Sequence, residues 1–336
     1  MLRKLIIVTF LLLACSASMF FYQLDKAMHT IITIEQDSFL SVSPGSSISS
    51  FAKALEHKQW IENRFWLRNY GRLFPDKVKL KTGTYLIKKG SSVKELLAQV
   101  VEGKEYQFTV TFIEGTRFKD ALISLSQHPH IRHTLEGLSV ETIAEQIGIN
   151  AKNPEGWLFP DTYAFTAGTS DITLLKRAYK NMKKQLEALW ANRAKNLPYD
   201  TAYEALIMAS IIEKETSYIE EQPLISSVFV NRLAKNMRLQ TDPTIIYGLG
   251  DRYQGDITYA HMREKTAYNT YRIDGLPPTP IAMAGLSAIR ATLHPANSDY
   301  FYFVSDGNGK HVFSRTLSEH NRAVRQYLKL QNQKKS

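Results

Sequence analysis

The feature that most constrains this chain is an apolar segment close to its first residue. The 18 residues from Leu5 to Tyr22 are interrupted only by three hydroxyl side chains, and the basic pair Arg3 and Lys4 precedes them. A helix of this length can just cross the hydrocarbon core of a bilayer, and a basic flank favours the cytoplasmic side. We therefore predict an uncleaved membrane anchor over residues 1–22, with the rest of the chain folded on the opposite side of the membrane.

Two other interpretations of this segment stay open. A cleaved signal peptide has the same basic start and apolar middle, and Leu12–Cys15 resembles a bacterial lipobox, in which Cys15 would carry a lipid. All three export the body of the protein, so we expect no nucleic acid partner despite the formal net charge of +10. The charge favours anionic lipid or an acidic polymer instead. Because Cys15 is the single cysteine, the exported part has no disulfide and no thiol nucleophile.

A short pattern recurs after a polar linker that we assign to residues 23–38. In each copy a strand-like run meets a glycine, a Ser or Thr stands at the N-cap position, and an amphipathic helix follows. The copies are Pro44–Leu55, Lys89–Val100 and Glu114–Leu125. Such strand–helix units resemble LysM-type sugar-binding modules, although ordinary capping chemistry explains the pattern equally well. We expect a small LysM-like α/β subdomain over residues 39–104.

The remaining sequence predicts a mixed helical and β domain over residues 105–330, followed by a short tail over residues 331–336. Its hydrophobic periodicity predicts helices, and two apolar runs around a glycine-containing turn predict a hairpin near the end. The helices are Ile172–Ala194, Thr201–Glu215, Gln222–Lys235 and Ser318–Leu330, and the strands are Tyr300–Val304, which we interpret as buried, and His311–Ser314. The expected fold class is α+β.

One helix runs directly from apolar residues into two glutamates, in the segment Ala205–Thr216, which reads ALIMASIIEKET. At helical spacing Glu215 falls on the same face as Met208, Ile211 and Ile212, whereas Glu213 points roughly the opposite way. A carboxylate at the end of a buried face is partly desolvated, which raises its pKa and suits it to general acid catalysis. The alternative is a helix whose charged tip is simply solvated.

Polar and aromatic side chains also gather in three loop segments rich in Pro and Gly. Sugar rings pack on flat aromatic faces, and their hydroxyl and acetamido groups bind to amide, carboxylate and phenol groups held on rigid loops. Side chains of these types are Trp157, Gln240, Asp242, Tyr247, Asn269 and Tyr271. Turn chemistry explains each one singly, so a carbohydrate site is indicated by their density. We expect no metal site, because the one close group of histidines has no neighbouring acid or cysteine.

A resemblance to a known family rests on five motifs: Ala209–Thr216, Phe229–Leu233, Met237–Thr244, Thr266–Tyr271 and Gly275–Pro278. Through them the chain resembles the MltG (YceG-like) endolytic murein transglycosylases of bacteria, from the N-terminal anchor to the final helix. The resemblance implies a single-pass inner-membrane protein whose body lies in the periplasm or outside the membrane. It also implies a LysM-like subdomain and a catalytic domain, over residues 105–330, that cuts glycan strands.

In this family the essential acid is the second glutamate of the E-K-E motif, which is Glu215 here. The resemblance implies that Glu215 protonates the glycosidic oxygen between N-acetylmuramic acid and N-acetylglucosamine. It then accepts the proton of the muramic C6 hydroxyl as a 1,6-anhydro ring closes. One group acts first as acid and then as base, so no cofactor is required.

Supporting roles are assigned by position. Gln240, Asp242 and Asn269 are candidates for holding the acetamido and hydroxyl groups of the substrate. Tyr247, Tyr271 and Trp157 are candidates for lining the cleft. Glu213 is expected to orient the motif through a salt bridge or a hydrogen bond rather than to act as the acid.

The expected substrate is the nascent glycan strand of peptidoglycan, whose elongation this cleavage would terminate. The inner membrane would hold the N-terminal helix, and membrane-bound peptidoglycan synthases are candidate partners. Two alternatives stay open. One is an anchored scaffold that binds peptidoglycan without cutting it. The other is a hydrolase, which needs a second carboxylate about 5–10 Å from Glu215, and Asp242 is the candidate.

Overall fold

The computed structural model describes residues 1–335, and these residues form two compact units. The first unit comprises Met1–Phe108 together with Ala164–Gly168, and the second comprises Thr109–Tyr163 and the chain from Thr169 onward. Strands β3 (Phe108–Thr111) and β4 (Thr162–Phe165) form a two-stranded sheet. The fold is mixed α+β, as the sequence predicts.

The first unit begins with helix α1 (Leu2–His29), the one helix within residues 1–335 that is long and apolar enough to cross a membrane. Residues 2–19 of the helix are exposed, whereas Leu24 and Met28 are buried against the rest of the unit. The helix therefore continues past the apolar segment, and the predicted linker over residues 23–38 begins inside it. Burial of Leu24 and Met28 explains this extension, because tertiary packing stabilises helix beyond the apolar stretch.

The core of the first unit lies between a two-stranded antiparallel sheet and three helices. Strands β1 (Ser38–Val42) and β2 (Gly83–Ile87) pair with Leu40 opposite Tyr85, and both side chains are almost fully buried. The helices are α2 (Ile48–His57), α3 (Arg64–Leu73) and α4 (Val93–Glu102). They pack on the sheet and on the buried end of α1.

The recurring strand–turn–helix pattern is confirmed in its first two copies and differs in the third. Ser47 and Ser92 cap α2 and α4, and each takes part in a reciprocal capping box. In the third copy helix α5 (Phe118–Ser126) has Arg117 at its N-cap, so the predicted threonine cap is wrong. The Thr116 hydroxyl instead donates to the Ile113 carbonyl oxygen at 2.7 Å, within the preceding turn.

The second unit is mostly helical, with a hairpin near its end. Its further elements are α6 (Val140–Ile147), α7 (Asp171–Ala191), α8 (Ala202–Glu215), α9 (Gln222–Ala234), α10 (Asp242–Leu249), α11 (Tyr259–Arg263), α12 (Leu286–Leu293), β5 (Tyr302–Ser305), β6 (His311–Ser314) and α13 (Leu317–Lys335). The four predicted helices and the hairpin are present within a few residues of their predicted bounds. The helix α13 runs through most of the predicted tail, of which Ser336 lies outside the described residues. Strand β5 is half-buried rather than buried.

Four helices of this unit are not predicted by the sequence patterns, namely α6, α10, α11 and α12. The loop expected after Asp242 is a helix in the structure, because Pro243 lies in the first turn of α10, where a proline needs no hydrogen-bond partner. Helix α12 is only eight residues long, too short for periodicity to reveal, and yet it packs directly against α8 and α9.

Helix α8 is the centre of the second unit. It begins with a capping box between Thr201 and Glu204, and all eight residues from Ala205 to Ile212 are buried. Helices α7, α9, α10 and α12 pack around it. The helix is therefore apolar on every side rather than on one face, and both Glu213 and Glu215 emerge from the core half-buried.

Candidate active site

Glu215 is the last residue of α8, and its carboxyl group borders an open cleft of about 300 Å³. Of the side chains predicted to contact substrate, the cleft also contains Gln240, Asp242 and Tyr271. The remaining lining residues are Arg232, Leu239, Thr241, Tyr302, Phe303, Leu317 and His320. The cleft is thus polar on the side of Glu215 and partly aromatic on the side of β5.

Burial raises the pKa of Glu215 from its ordinary value of 4.5 to about 7. The negative charge of Asp242 acts in the same direction, whereas a hydrogen bond that the Thr241 hydroxyl donates to Oε1 of Glu215 favours the charged form and opposes the rise. A carboxyl group with this pKa is present in both protonation states near neutral pH. It can therefore donate a proton and later accept one.

Thr241 is held in place by a short loop that pairs with Thr270. The Gln240 amide donates to the Thr270 carbonyl oxygen at 3.2 Å, and the Thr241 amide donates to the Thr270 hydroxyl at 3.0 Å. Gln240 has a φ of 53°, in the left-handed region that non-glycine residues rarely adopt. This conformation turns the chain between Leu239 and Thr241, so that consecutive residues contribute to the cleft.

Arg232, on helix α9, fixes the same loop from the other side. Its Nη1 donates to the carbonyl oxygens of Arg238 and Leu239 at 3.0 and 2.9 Å, and to Oε1 of Gln240 at 3.2 Å. Its Nε donates to the Phe301 carbonyl oxygen at 2.6 Å. The guanidinium group therefore ties the loop of residues 238–240 to the segment before β5.

Sequence reasoning missed Arg232 and Thr241. A signal existed for Arg232, because it follows Ile225, Val228 and Phe229 at the spacing of a buried helix face. A charged residue in such a stripe requires partners. Nothing in the sequence marked Thr241, whose importance depends on the approach of two segments that are distant in the chain.

Asp242 and Tyr271 form a pair beside Glu215. The Tyr271 hydroxyl donates to Oδ1 of Asp242 at 2.7 Å. Burial, followed by the charge of Asp242, raises the pKa of Tyr271, so that the phenol stays protonated and remains a donor. The hydrogen bond from Tyr271 therefore orients the Asp242 side chain within the cleft that Glu215 borders.

Glu213 lies outside the cleft. Its Oε2 accepts a hydrogen bond from the Gly285 amide at 3.0 Å, immediately before α12 begins. Burial raises its pKa, and the nearby charge of Glu114 adds to the rise. The contact joins the end of α8 to the start of α12, and an orienting role for Glu213 stays a prediction.

The structure does not bring three predicted substrate residues to this cleft. Trp157 stacks on Tyr203, with ring centroids 5.4 Å apart. Tyr247 extends its hydroxyl toward Glu155, with 3.4 Å between the oxygens. Asn269 is only 1% exposed, and its amide nitrogen donates to the carbonyl oxygens of three residues: His261, Met262 and Glu264.

Together these features define a class of protein: an α+β protein in which a buried helix presents one protonatable carboxyl to a polar cleft. The chain belongs to the YceG-like family, which it matches over residues 40–326.

Curated relatives of this chain carry the name endolytic murein transglycosylase. The protein of Bacillus subtilis strain 168 is 32% identical over 323 residues, covering 90% of this chain and 89% of its own. That of Streptococcus pneumoniae strain D39 is 26% identical, and the alignment spans 95% of this chain but only 64% of the pneumococcal protein. A crystal structure of a protein described as yceG-like, from Listeria monocytogenes, is 29% identical with a TM-score of 0.54. It aligns with 86% of this chain and 99% of its own.

Proposed function

We propose that this protein is an endolytic murein transglycosylase that cleaves the bond between N-acetylmuramic acid and N-acetylglucosamine within glycan strands. The observation that carries the proposal is Glu215, a single carboxyl with a pKa of about 7 at the edge of an open polar cleft. The names of the curated relatives support the same reaction. A binding scaffold has no need of a carboxyl group held partly protonated by burial.

The reaction proceeds through two proton transfers at Glu215. In the first, protonated Glu215 donates to the glycosidic oxygen, and the bond to C1 of the muramic acid breaks with oxocarbenium-like charge at C1. In the second, the Glu215 carboxylate accepts the proton of the C6 hydroxyl. The oxygen of that hydroxyl bonds to C1 at the same time, which closes the 1,6-anhydro ring. The protein ends in its starting protonation state, and no water is consumed.

The neighbouring side chains support both steps. Asp242 lies in the cleft where its negative charge can stabilise the developing positive charge at C1. Thr241 donates to the carboxylate form of Glu215, which lowers the cost of the charge left after the first transfer. Gln240 and Tyr271 border the same cleft and supply polar contacts for acetamido and hydroxyl groups.

A peptidoglycan hydrolase is the second candidate, because Asp242 supplies another carboxylate to the same cleft. In that reaction Asp242 would activate water for attack at C1, and the product would carry a reducing end. The hydrogen bond from Tyr271 to Asp242 occupies one carboxylate oxygen and leaves the other available. The chemical nature of the new end distinguishes the two candidates.

The location follows from helix α1. We propose that α1 anchors the protein as a single-pass helix in the bacterial inner membrane, with both units in the periplasm and beside the membrane-bound synthases that produce nascent strands. The exposed apolar surface of residues 2–19 supports this arrangement. We propose further that residues 39–104 form a LysM-like subdomain that binds glycan.

The test is mass spectrometry of the products formed from uncross-linked glycan by the full chain in detergent. The wild type is expected to produce 1,6-anhydromuramic ends, and Glu215→Gln to lower the rate about 10²- to 10⁴-fold. Glu187→Gln, the same chemical change at an exposed site on α7, is the matched control and is expected to retain activity. Reducing ends would establish the hydrolase instead, and glycan binding without cleavage by the wild type would overturn both.

A further inference from the structure

Helix α3 presents an exposed face that combines apolar and basic side chains. Phe65 and Leu73 are 49% and 45% exposed, and they stand on either side of Asn69 on one surface of the helix. Arg68 and Arg72 follow the same surface at a spacing of four residues, so their charges lie side by side. The opposite surface is buried, since Leu67 and Gly71 pack toward α2.

The close approach of α2 and α3 fixes which side of α3 remains exposed. A Cβ atom at Gly71 would lie 2.8 Å from the side chain of Ile48, so only glycine allows the two helices to pack this closely. The buried side of α3 is therefore rigidly held within the first unit. The basic and apolar side is a surface of the folded unit.

An aromatic contact places this surface at the end of the apolar segment. The ring of Trp66 lies 5.6 Å from that of Phe20 on α1, and the ring of Phe65 lies 5.0 Å from that of Trp66. Phe20 belongs to the last turn of the apolar run that ends at Tyr22. The N-terminal end of α3 therefore sits at the level where a membrane-spanning α1 leaves the hydrocarbon, and tryptophan is enriched at this level in membrane proteins.

The charges on the surface are available to a ligand. Within residues 1–335, neither Arg68 nor Arg72 takes part in an ion pair. The neighbouring Arg64, by contrast, pairs with Glu56 at 3.5 Å. Lys26 lies nearby, in a cavity of about 360 Å³ between the last turns of α1 and the segment that contains Trp66. Basic side chains beside exposed apolar ones favour an anionic lipid surface, because the headgroups bind the charges and the acyl boundary takes the apolar tips.

We propose that α3 docks the first unit onto the outer surface of an anionic phospholipid bilayer. Phe65 and Leu73 enter the headgroup region, and Arg68 and Arg72 bind lipid phosphates. The proposal rests on the membrane anchoring proposed for α1. Its consequence is that the first unit is held at the membrane surface, where nascent strands emerge, instead of moving freely at the end of a tether.

The test measures the depth of single nitroxide labels on the full chain in lipid nanodiscs. Asn69→Cys, in a Cys15→Ser background, places a label at the centre of the proposed surface. Lys94→Cys is the control, because Lys94 lies further from the apolar segment. Its Nζ contacts the His29 ring at 3.4 Å. His29 follows Phe20 by nine residues, which is about 13 Å further along α1. Oxygen is concentrated in lipid and a nickel chelate in water, so the ratio of their collision rates with the label reports depth.

In nanodiscs containing phosphatidylglycerol, the label at position 69 is expected to collide more often with oxygen than with nickel, and the label at position 94 to show the reverse. The double variant Arg68→Glu/Arg72→Glu should reduce the docked fraction relative to the undocked one by roughly tenfold. Lys180→Glu/Lys184→Glu is the matched control, with the same charge change and spacing on exposed residues of α7 in the second unit. It should leave the label at position 69 unchanged.

The proposal would be overturned if the labels at positions 69 and 94 both collided mainly with the nickel chelate in water. It would also be overturned if the two charge-reversed variants changed the depth of the label at position 69 equally. A label on the native Cys15 separates this result from a failure of the anchor. If Cys15 is in lipid while position 69 is in water, α1 spans the membrane but α3 does not dock. If Cys15 is in water, the anchoring itself is wrong.

Discussion

The Thr241 hydroxyl donates its hydrogen bond to the same carboxyl group, that of Glu215, whose pKa burial raises. The two effects oppose each other, since burial favours the neutral acid and the hydrogen bond favours the carboxylate. Their balance brings the pKa of Glu215 to about 7. A residue that must first give one proton and then accept another needs both forms to be accessible.

Replacing Thr241 by valine should therefore alter the pH profile. Thr241→Val keeps the shape of the side chain but removes the donor, so the pKa of Glu215 is expected to rise further above its ordinary value. The acid then stays protonated to higher pH, and the alkaline limb of kcat/KM should move up by about one pH unit. The rate at the optimum should fall about tenfold, because the carboxylate left after the first transfer loses its donor.

Thr241→Ser is the control for this change. It retains a hydroxyl and should keep the limb close to that of the wild type. A shift of the alkaline limb to lower pH in Thr241→Val would contradict the assigned role of the hydrogen bond. An unchanged profile with reduced stability would mean that Thr241 serves only packing.

Arg232→Lys tests how the loop before Asp242 is positioned. Lysine keeps the charge but cannot donate simultaneously to the Arg238 and Leu239 carbonyl oxygens and to the Phe301 carbonyl oxygen. We expect a loss of about 2–4 kcal/mol in the free energy of unfolding, because these are hydrogen bonds from a charged, buried donor. Activity at a permissive temperature should fall through kcat rather than KM, since Thr241 loses its position against Glu215.

Arg238→Lys is the matched comparison, on the surface of the same loop. Its Nε donates to Asp274 at 2.8 Å, but both side chains are largely exposed, and such pairs contribute about 0–1 kcal/mol. It should therefore have little effect on unfolding measured by denaturant titration. If the two substitutions prove equally costly, burial of Arg232 is not what makes it important.

The elements that the sequence predicts well are those with long local patterns. Helices α7, α8, α9 and α13 carry apolar periodicity over many residues, and the hairpin carries a strong glycine turn. Glu215 was found by its position after Met208, Ile211 and Ile212. The structure gives a different reason for its raised pKa, because α8 is buried on every side and Glu213 is half-buried as well.

Contacts between distant segments account for what the sequence does not predict. Asn269 has the chemistry of a sugar-binding residue, but whether its amide faces a ligand or three backbone carbonyls depends on how its loop closes. Trp157 and Tyr247 were grouped with Glu215 by composition alone, and they pack elsewhere in the second unit. The hydroxyl that donates a hydrogen bond to Glu215 belongs to Thr241, 26 residues further along the chain.

A second carboxyl group with a raised pKa predicts how stability depends on pH. Burial raises the pKa of Glu155 from 4.5 to about 7, and the hydrogen bond that the Phe118 amide donates to it at 2.8 Å only partly opposes the rise. Between these two pKa values the folded protein binds more protons than the unfolded chain, so the free energy of unfolding should decrease as pH rises from about 4.5 to about 7. The decrease is at most about 3 kcal/mol for this group.

Glu155→Gln should reduce this pH dependence while keeping an oxygen that accepts from the Phe118 amide. Glu215 acts in the same direction, so the slope should become shallower without vanishing. Thermal unfolding of the full chain in detergent at a series of pH values measures the effect. Glu187→Gln on exposed α7 should leave the slope unchanged, and a steeper slope in Glu155→Gln would exclude a neutral buried carboxyl at this position.

Asn269→Asp decides between a substrate contact and a structural role for the one predicted binding residue that is almost fully buried. The change is isosteric, but it replaces the amide nitrogen by an oxygen that would face the carbonyl oxygens of His261, Met262 and Glu264. We expect a loss of about 3 kcal/mol or more in the free energy of unfolding, because several donors are replaced by repulsion between buried oxygens. Denaturant titration measures this loss, with Asn231→Asp as the comparison, because the half-buried Asn231 amide donates to only two carbonyls, those of Ser298 and Tyr300. A normal stability combined with a raised KM would instead return Asn269 to the substrate site, because a side chain that contacts only the glycan contributes to binding and not to folding.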